Sequence, residues 1–117
     1  MQKIKPMCLL IMLITPIVCA SPNWTNDQIA DAIYMAEGGA GAAMPYGIMK
    51  HYRHTTARQA CINTIEHARR DCPAGEDLIA FLQKRYCPIG AENDPMALNR
   101  YWLKNVRWFL EHPVEVK

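Results

Sequence analysis

Between residues 26 and 37 the apolar positions follow the period of an α-helix. They fall at i, i+3, i+4 and i+7, the spacing of one helix face: Ile29, Ala32, Ile33 and Ala36. Thr25 and Gln28 form the capping-box pattern that begins a helix, and a Gly-Gly pair provides its end. The pattern predicts a first helix over residues 26–37, with Glu37 in its last turn.

Residues 38–55 lack this period and contain several glycines and Pro45. Segments of this length without helical periodicity are unusual in a compact domain and are often functional. We therefore expect a loop here that contributes to any site the chain carries.

Three more helices are predicted after this loop, over residues 57–71, 76–86 and 95–111. Thr56 and Gln59 repeat the capping-box pattern, and Asp94-Pro95 is typical of an N-cap followed by a proline at the first helical position. With the first helix they predict an all-α fold, a small bundle of about four helices.

The last predicted helix has a wide apolar face that includes an amide. The apolar members of this face are Leu98, Tyr101, Trp102, Val106, Trp108 and Phe109. At 100° per residue, Asn105 lies near the middle of the face, beside Leu98 and Tyr101. Because a buried amide must be hydrogen-bonded, Asn105 is expected either to hold loop backbone or to line a site.

The first twenty residues have the pattern of a cleavable signal peptide. Lys3 and Lys5 precede an uncharged apolar stretch from Met7 to Cys19, and the small residue Ala20 fits cleavage directly after it. The apolar stretch is shorter than the roughly 20 residues of a spanning helix, which argues against a retained anchor. Val18 is larger than the residue expected before a lipidated cysteine, which argues against a lipoprotein.

Cleavage after Ala20 leaves one mature domain of 97 residues, 21–117, in a protein that is periplasmic or secreted. It removes Lys3 and Lys5 from the 13 basic residues, so that 11 remain against 11 acidic ones. This neutral balance, without a basic stripe, argues against nucleic-acid binding. We also expect no stable membrane span after cleavage and no cofactor.

Three cysteines follow the predicted cleavage site, and one disulfide is the default in an oxidising compartment. Cys61 and Cys72 are separated by roughly 16 Å of helix at 1.5 Å per residue, whereas a disulfide needs Cα atoms within about 7 Å. An antiparallel hairpin of the second and third helices sets Cys61 opposite Cys87. We predict the Cys61–Cys87 disulfide, with Cys72 left over.

A zinc site is the rival use of these cysteines, together with His51 and His54. These histidines lie in the glycine-bearing loop and lack the fixed spacing of a helix face, and exported cysteines usually pair with each other. We therefore expect no metal.

Glu37 is the candidate catalytic residue. A carboxylate at the C-terminus of a helix faces the negative end of the helix dipole, and partial burial also disfavours its charged form. Both effects raise the pKa of the carboxyl group, and a protonated carboxylic acid suits a general acid at a glycosidic bond. The alternative is a glutamate that extends into water or binds a loop amide.

Two segments, one that contains this glutamate and one about ten residues later, carry a resemblance to a known family: Ile33-Tyr34-Met35-Ala36-Glu37-Gly38-Gly39 and Gly47-Ile48-Met49. They resemble the lysozyme-like fold shared by lytic transglycosylases and goose-type lysozymes, in which the catalytic glutamate ends a helix and a Gly-apolar-Met segment lines the sugar cleft. The later Tyr101-Trp102-Leu103 is similar in kind to the closing helix of that family. The family commonly has Ser and Gln where this chain has Gly38 and Lys50.

The resemblance implies a peptidoglycan-cleaving enzyme with Glu37 as general acid/base. The implied substrate-binding residues are Tyr46, Gly47, Ile48, Met49 and Tyr101, with Asn105 as a further candidate. Residues 38–55 contain no Asp or Glu, and most glycoside hydrolases need two carboxylates. A single glutamate therefore favours a transglycosylase-type mechanism, in which a hydroxyl of the sugar is the nucleophile.

A second interpretation is a non-catalytic exported domain that binds cell wall or a protein partner. Trp24, Trp102 and Trp108 are its candidate anchors, and core packing is the expected role of at least two of them. The strings Cys61-Ile62-Asn63-Thr64-Ile65 and Arg85-Tyr86-Cys87-Pro88 are also similar to those of small uncharacterised bacterial exported proteins, a likeness that implies no function.

Overall fold

The computed structural model describes residues 23–48 and 53–115. Over these residues the chain forms four α-helices and no β-strand: α1 Asn26–Ala36, α2 Ala57–Asp71, α3 Leu78–Tyr86 and α4 Trp102–Glu111. The all-α prediction is confirmed for this part of the chain. The predicted signal peptide and its cleavage site lie outside it. No helix within the two described ranges is long and apolar enough to cross a membrane.

The predicted capping box begins α1, and the N-cap half of the second predicted box begins α2. The Thr25 hydroxyl accepts a hydrogen bond from the Gln28 backbone N–H at 3.1 Å, and the Gln28 side chain accepts from the Thr25 N–H at 2.8 Å. The Thr56 hydroxyl accepts from the Gln59 N–H at 3.1 Å. Both helices therefore start where unpaired backbone N–H groups find side-chain acceptors.

The third helix begins two residues later than its predicted start at residue 76. Asp77 is its N-cap, and Asp77 Oδ1 accepts hydrogen bonds from the N–H groups of Ile79 and Ala80 at 2.8 and 3.4 Å. The aspartate side chain satisfies N–H groups that the first helical turn leaves unpaired, so the helix starts directly after it.

The fourth helix departs from its predicted range of 95–111. It begins at Trp102, after a 3₁₀ turn over Leu98–Tyr101. Asp94 is buried and accepts hydrogen bonds from three backbone N–H groups, those of Gly90, Leu98 and Asn99, at 2.7–3.2 Å. Its carboxylate therefore organises the preceding loop and the 3₁₀ turn, rather than capping an α-helix at Pro95.

The prediction that Asn105 lies near the middle of a buried face of this helix was also wrong. The helix buries Trp102, Val106 and Leu110, whereas Asn105 is exposed. Three of the predicted face residues are about half exposed: Leu98, Tyr101 and Trp108. Leu98 and Tyr101 belong to the 3₁₀ turn that precedes α4. The prediction treated them as part of the same α-helix, so it placed them on a face that they do not share with the residues of α4.

The hydrophobic core forms where α1 packs against α2 and α4. Its largest fully buried side chains come from all four helices: Ile29, Ile33, Ile65, Leu82, Val106 and Cys61. Burial of a large aliphatic side chain contributes about 1.5–3 kcal/mol relative to exposure. This packing fixes α1, and with it the direction in which the chain leaves the helix at Glu37.

The predicted disulfide is not formed, because Cys61 and Cys87 are both free thiols. The Cys61 thiol lies within hydrogen-bond contact of the Tyr86 hydroxyl. The hairpin of α2 and α3 therefore brings Tyr86 to Cys61, one position away from the predicted partner. Burial raises the pKa of both thiols to about 11, so that they are neutral at physiological pH.

Candidate functional site

The Glu37 side chain lies against the body of the protein at the end of α1. Glu37 is the C-cap of α1, and its N–H donates to the Ile33 carbonyl at 2.9 Å. Its side chain is partly buried, and Glu37 Oε1 accepts a hydrogen bond from the indole Nε1 of Trp102 at 3.0 Å. The alternative of a glutamate that extends into water does not describe this side chain.

Two opposing effects act on the Glu37 carboxyl group. Burial raises its pKa because the charged form loses water, and the hydrogen bond from Trp102 lowers it by stabilising the carboxylate. Burial is the larger effect, and the net pKa lies above the ordinary value for glutamate. The carboxyl group therefore keeps its proton to a higher pH than an exposed glutamate does.

The backbone of the turn Pro45–Gly47 packs directly on this carboxyl group. Gly47 has a φ of +65°, and a Cβ atom placed there would lie 3.0–3.2 Å from the carboxyl carbon and both carboxyl oxygens of Glu37. Such a distance is shorter than normal van der Waals contact, so only glycine fits without a shift. The described parts of the predicted loop, residues 38–48 and 53–55, contain no α-helix, and a further 3₁₀ turn lies at Gly39–Gly41.

Tyr46 holds this turn in place. Tyr46 adopts a left-handed φ of +60°, which is uncommon for a residue other than glycine. Its side chain is buried, its ring lies 5.1 Å from the ring of Tyr34, and its hydroxyl accepts a hydrogen bond from Arg58 Nη1 at 3.1 Å. Arg58 is itself held by Asp31, at 2.6 Å.

Tyr86 connects the turn to the tryptophan that binds Glu37. The Tyr86 hydroxyl donates a hydrogen bond to the Tyr46 carbonyl oxygen, and its ring stacks on Trp102 with centroids 5.7 Å apart. Sequence analysis did not identify Tyr86 or Trp102 as partners of Glu37. They lie 49 and 65 positions beyond it, and a local pattern gives no signal for contacts over such separations.

The remaining predicted site residues are less closely associated with Glu37. Ile48 is partly buried after the turn, and Met49 lies outside the described residues. Tyr101 is about half exposed, and its hydroxyl accepts from Arg100 Nη2 at 2.9 Å. Asn105 is exposed on α4. Of the predicted site residues, Gly47 therefore lies beside Glu37. Tyr101, in the 3₁₀ turn, and Asn105, on α4, are exposed to solvent.

The three tryptophans have different surroundings. Trp102 is buried, Trp24 is partly buried against the core, and Trp108 is 52 % exposed. Among the described residues, no group of three or more His, Cys, Asp or Glu side chains is arranged to hold a metal ion.

The arrangement supplies one partly buried carboxyl group, an indole donor on one oxygen, and glycine backbone against it. A group of this kind donates a proton and is stabilised after the proton has left, because the indole N–H favours the carboxylate. No family model, curated protein or solved structure matches this chain. The chemistry of the site is therefore argued from these residues and their geometry.

Proposed function

We propose that this chain is a small exported protein that cleaves peptidoglycan, with Glu37 as the general acid/base. One observation carries the proposal: the Glu37 carboxyl group is partly buried, with a raised pKa, between the Trp102 indole and the Gly47 backbone. A lysozyme-like arrangement, with the glutamate at a helix end and glycine backbone beside it, is consistent with the sequence resemblance.

In the proposed reaction the protonated Glu37 gives its proton to the glycosidic oxygen, and the bond from that oxygen to the anomeric carbon breaks. A hydroxyl of the same sugar then attacks the anomeric carbon and gives its proton to the Glu37 carboxylate. This sequence regenerates the acid and needs no second carboxylate, in agreement with the absence of Asp and Glu from residues 38–55. During the ionised stage the Trp102 N–H stabilises the carboxylate.

The alternative proposal is a non-catalytic exported domain that binds cell wall or a protein partner. The observation that favours it is the exposed indole of Trp108, because buried Trp102 and partly buried Trp24 pack in or against the core. In this case Glu37 is a structural residue that holds the turn through its contacts with Gly47 and Trp102.

Mass analysis of the fragments released from purified peptidoglycan distinguishes these proposals. Transglycosylation releases fragments with an internal anhydro ring, one water lighter than the products of hydrolysis. We expect the lighter fragments. Fragments of full hydrolysed mass would contradict the single-carboxylate mechanism, and the absence of any released fragment from several peptidoglycan types over pH 5–8 would contradict the enzyme.

A further inference from the structure

The outer side of α4 carries a cationic groove with an aromatic wall. The groove has a volume of about 370 Å³ and is lined by Arg100, Leu103, Lys104, Arg107, Trp108 and Glu111. This volume is in the usual range for ligand sites, ~300–1,000 Å³. We call these six residues the α4 groove.

The groove concentrates positive charge in a chain whose predicted mature form is neutral. Three of its residues are cations and one, Glu111, is an acid. Arg107 is paired with Asp77, whereas Arg100 and Lys104 take part in no ion pair with another described residue. A ligand can therefore bind these two cations without breaking an ion pair between described residues.

Trp108 forms an aromatic wall of this groove. Its ring stacks on His112 with centroids 4.2 Å apart and meets the ring of Phe109 edge-on at 5.1 Å. The indole is nevertheless 52 % exposed. A ring that already packs on its neighbours loses less conformational entropy when it binds a ligand than a free one does, and the ring surface that His112 does not cover is suited to stacking.

We propose that the α4 groove binds an anionic glycan, with a sugar ring on Trp108 and carboxylate groups of the glycan on Arg100 and Lys104. The cations select for negative charge, and Arg presents donors that match a carboxylate. An aromatic wall beside them favours a ring-containing polymer over an acidic peptide. The choice of a glycan rests on the proposed function.

The groove is separate from the Glu37 site, although α4 contributes to both. Trp102 faces the core and holds Glu37, while Lys104 lies about 200° further around the helix at 100° per residue. One side of α4 thus supports the candidate catalytic group, and the other side retains the polymer.

Titration of the isotope-labelled protein, followed by NMR, tests this proposal. The probes are soluble disaccharide-peptide fragments of peptidoglycan, which carry carboxylates, and chitotetraose, which has similar rings without charge. We expect the anionic fragments to shift the Trp108 indole signal and the amides of α4, with weaker binding at higher salt because salt screens exposed charges.

Variants locate the binding. Trp108→Ala and Lys104→Gln should each weaken the affinity for the anionic fragments about tenfold, the scale of one lost contact of this kind. Arg70→Gln, which removes an exposed cation of α2 that does not line the groove, is the control and should leave the affinity unchanged.

Three results would overturn the proposal: equal affinity for chitotetraose, shifts confined to the surroundings of Glu37 and Gly47, or binding to phosphatidylglycerol vesicles without binding to either sugar. Failure of the proposed function gives a different result. If the protein binds the anionic fragments through Trp108 and Lys104 but releases no fragments from peptidoglycan, the groove proposal stands and the proposed enzymatic function is contradicted.

Discussion

Glu37 is held by residues that are distant from it in sequence but converge on its two sides. The indole of Trp102 supplies a hydrogen bond, and Gly47 lies so close that a Cβ atom on it would be within 3.2 Å of both carboxyl oxygens. The desolvation that raises the pKa of this carboxyl group depends on these neighbours as well as on the position of Glu37 at the end of α1. A change at Gly47 is therefore expected to act on Glu37.

Replacement of Gly47 by alanine should destabilise the protein by two separable effects. The left-handed φ of +65° costs about 1 kcal/mol for a residue with a Cβ atom, and the new methyl group clashes with the Glu37 carboxyl group. Gly90→Ala is the matched control, because Gly90 has a φ of +69° and open space around it. We expect Gly47→Ala to lower the free energy of unfolding by about 1 kcal/mol more than Gly90→Ala, the lower end of overpacking costs.

Chemical denaturation of the two variants measures this difference. Equal losses in Gly47→Ala and Gly90→Ala would mean that no carboxyl group lies against the turn, and would contradict the geometry of the site.

At the scale of elements, helix starts follow the side chains that cap them. Thr25 and Thr56 were identified as caps from the sequence, because a capping box is a local pattern, and α1 and α2 begin directly after them. Asp94 was also predicted as a cap, from the proline that follows it, but it is buried and accepts hydrogen bonds from three backbone N–H groups of the loop and the 3₁₀ turn. Tertiary burial therefore decided the start of α4, and no pattern of neighbouring residues reports on burial.

The error in the start of α4 changes the expectation for Asn105. A buried amide that satisfies backbone groups predicts a loss of roughly 1–3 kcal/mol for Asn105→Leu. Because Asn105 is exposed, we expect a change within about 0.5 kcal/mol, as for most surface substitutions. Thermal and denaturant unfolding of this variant provide the measurement, and a loss above about 1 kcal/mol would show that the amide has a structural partner.

Tyr86 links α3 to the turn at Tyr46 through its hydroxyl group and to α4 through its ring. In Tyr86→Phe the ring still stacks on Trp102, but the Tyr46 carbonyl loses its donor. We expect a loss of about 1–3 kcal/mol in the free energy of unfolding, the cost of an unsatisfied buried group.

Tyr101→Phe is the control for this substitution, because its exposed hydroxyl contacts only the Arg100 side chain among the described residues. This variant should unfold within about 0.5 kcal/mol of the wild type. If both variants have the same small effect, Tyr86 does not hold the Tyr46 carbonyl.

At the scale of the whole molecule, the sequence was sufficient for the helical class and for the glutamate at the end of α1. Local periodicity and caps determine both. The site itself depends on the hydrogen bond between Glu37 and Trp102, 65 positions later, and on the contacts of Tyr86 with Tyr46 and Trp102. It also depends on a hairpin register that brings Tyr86, rather than Cys87, to Cys61. A single sequence carries no signal for these pairings, because register is set by packing of the assembled helices.

The central claim is that Glu37 is a general acid, and the rate of peptidoglycan lysis by wild type and Glu37→Gln over pH 5–8 tests it most directly. Glutamine retains an oxygen that accepts from Trp102 but has no transferable proton. We expect the variant to fold normally and to lyse peptidoglycan at least about 10²-fold more slowly than the wild type, the usual scale for a lost general acid. The wild-type rate should fall as pH rises through the raised pKa of Glu37, because the acid form is then lost. Equal rates for the two proteins, or a wild type that is inert throughout, would contradict the account.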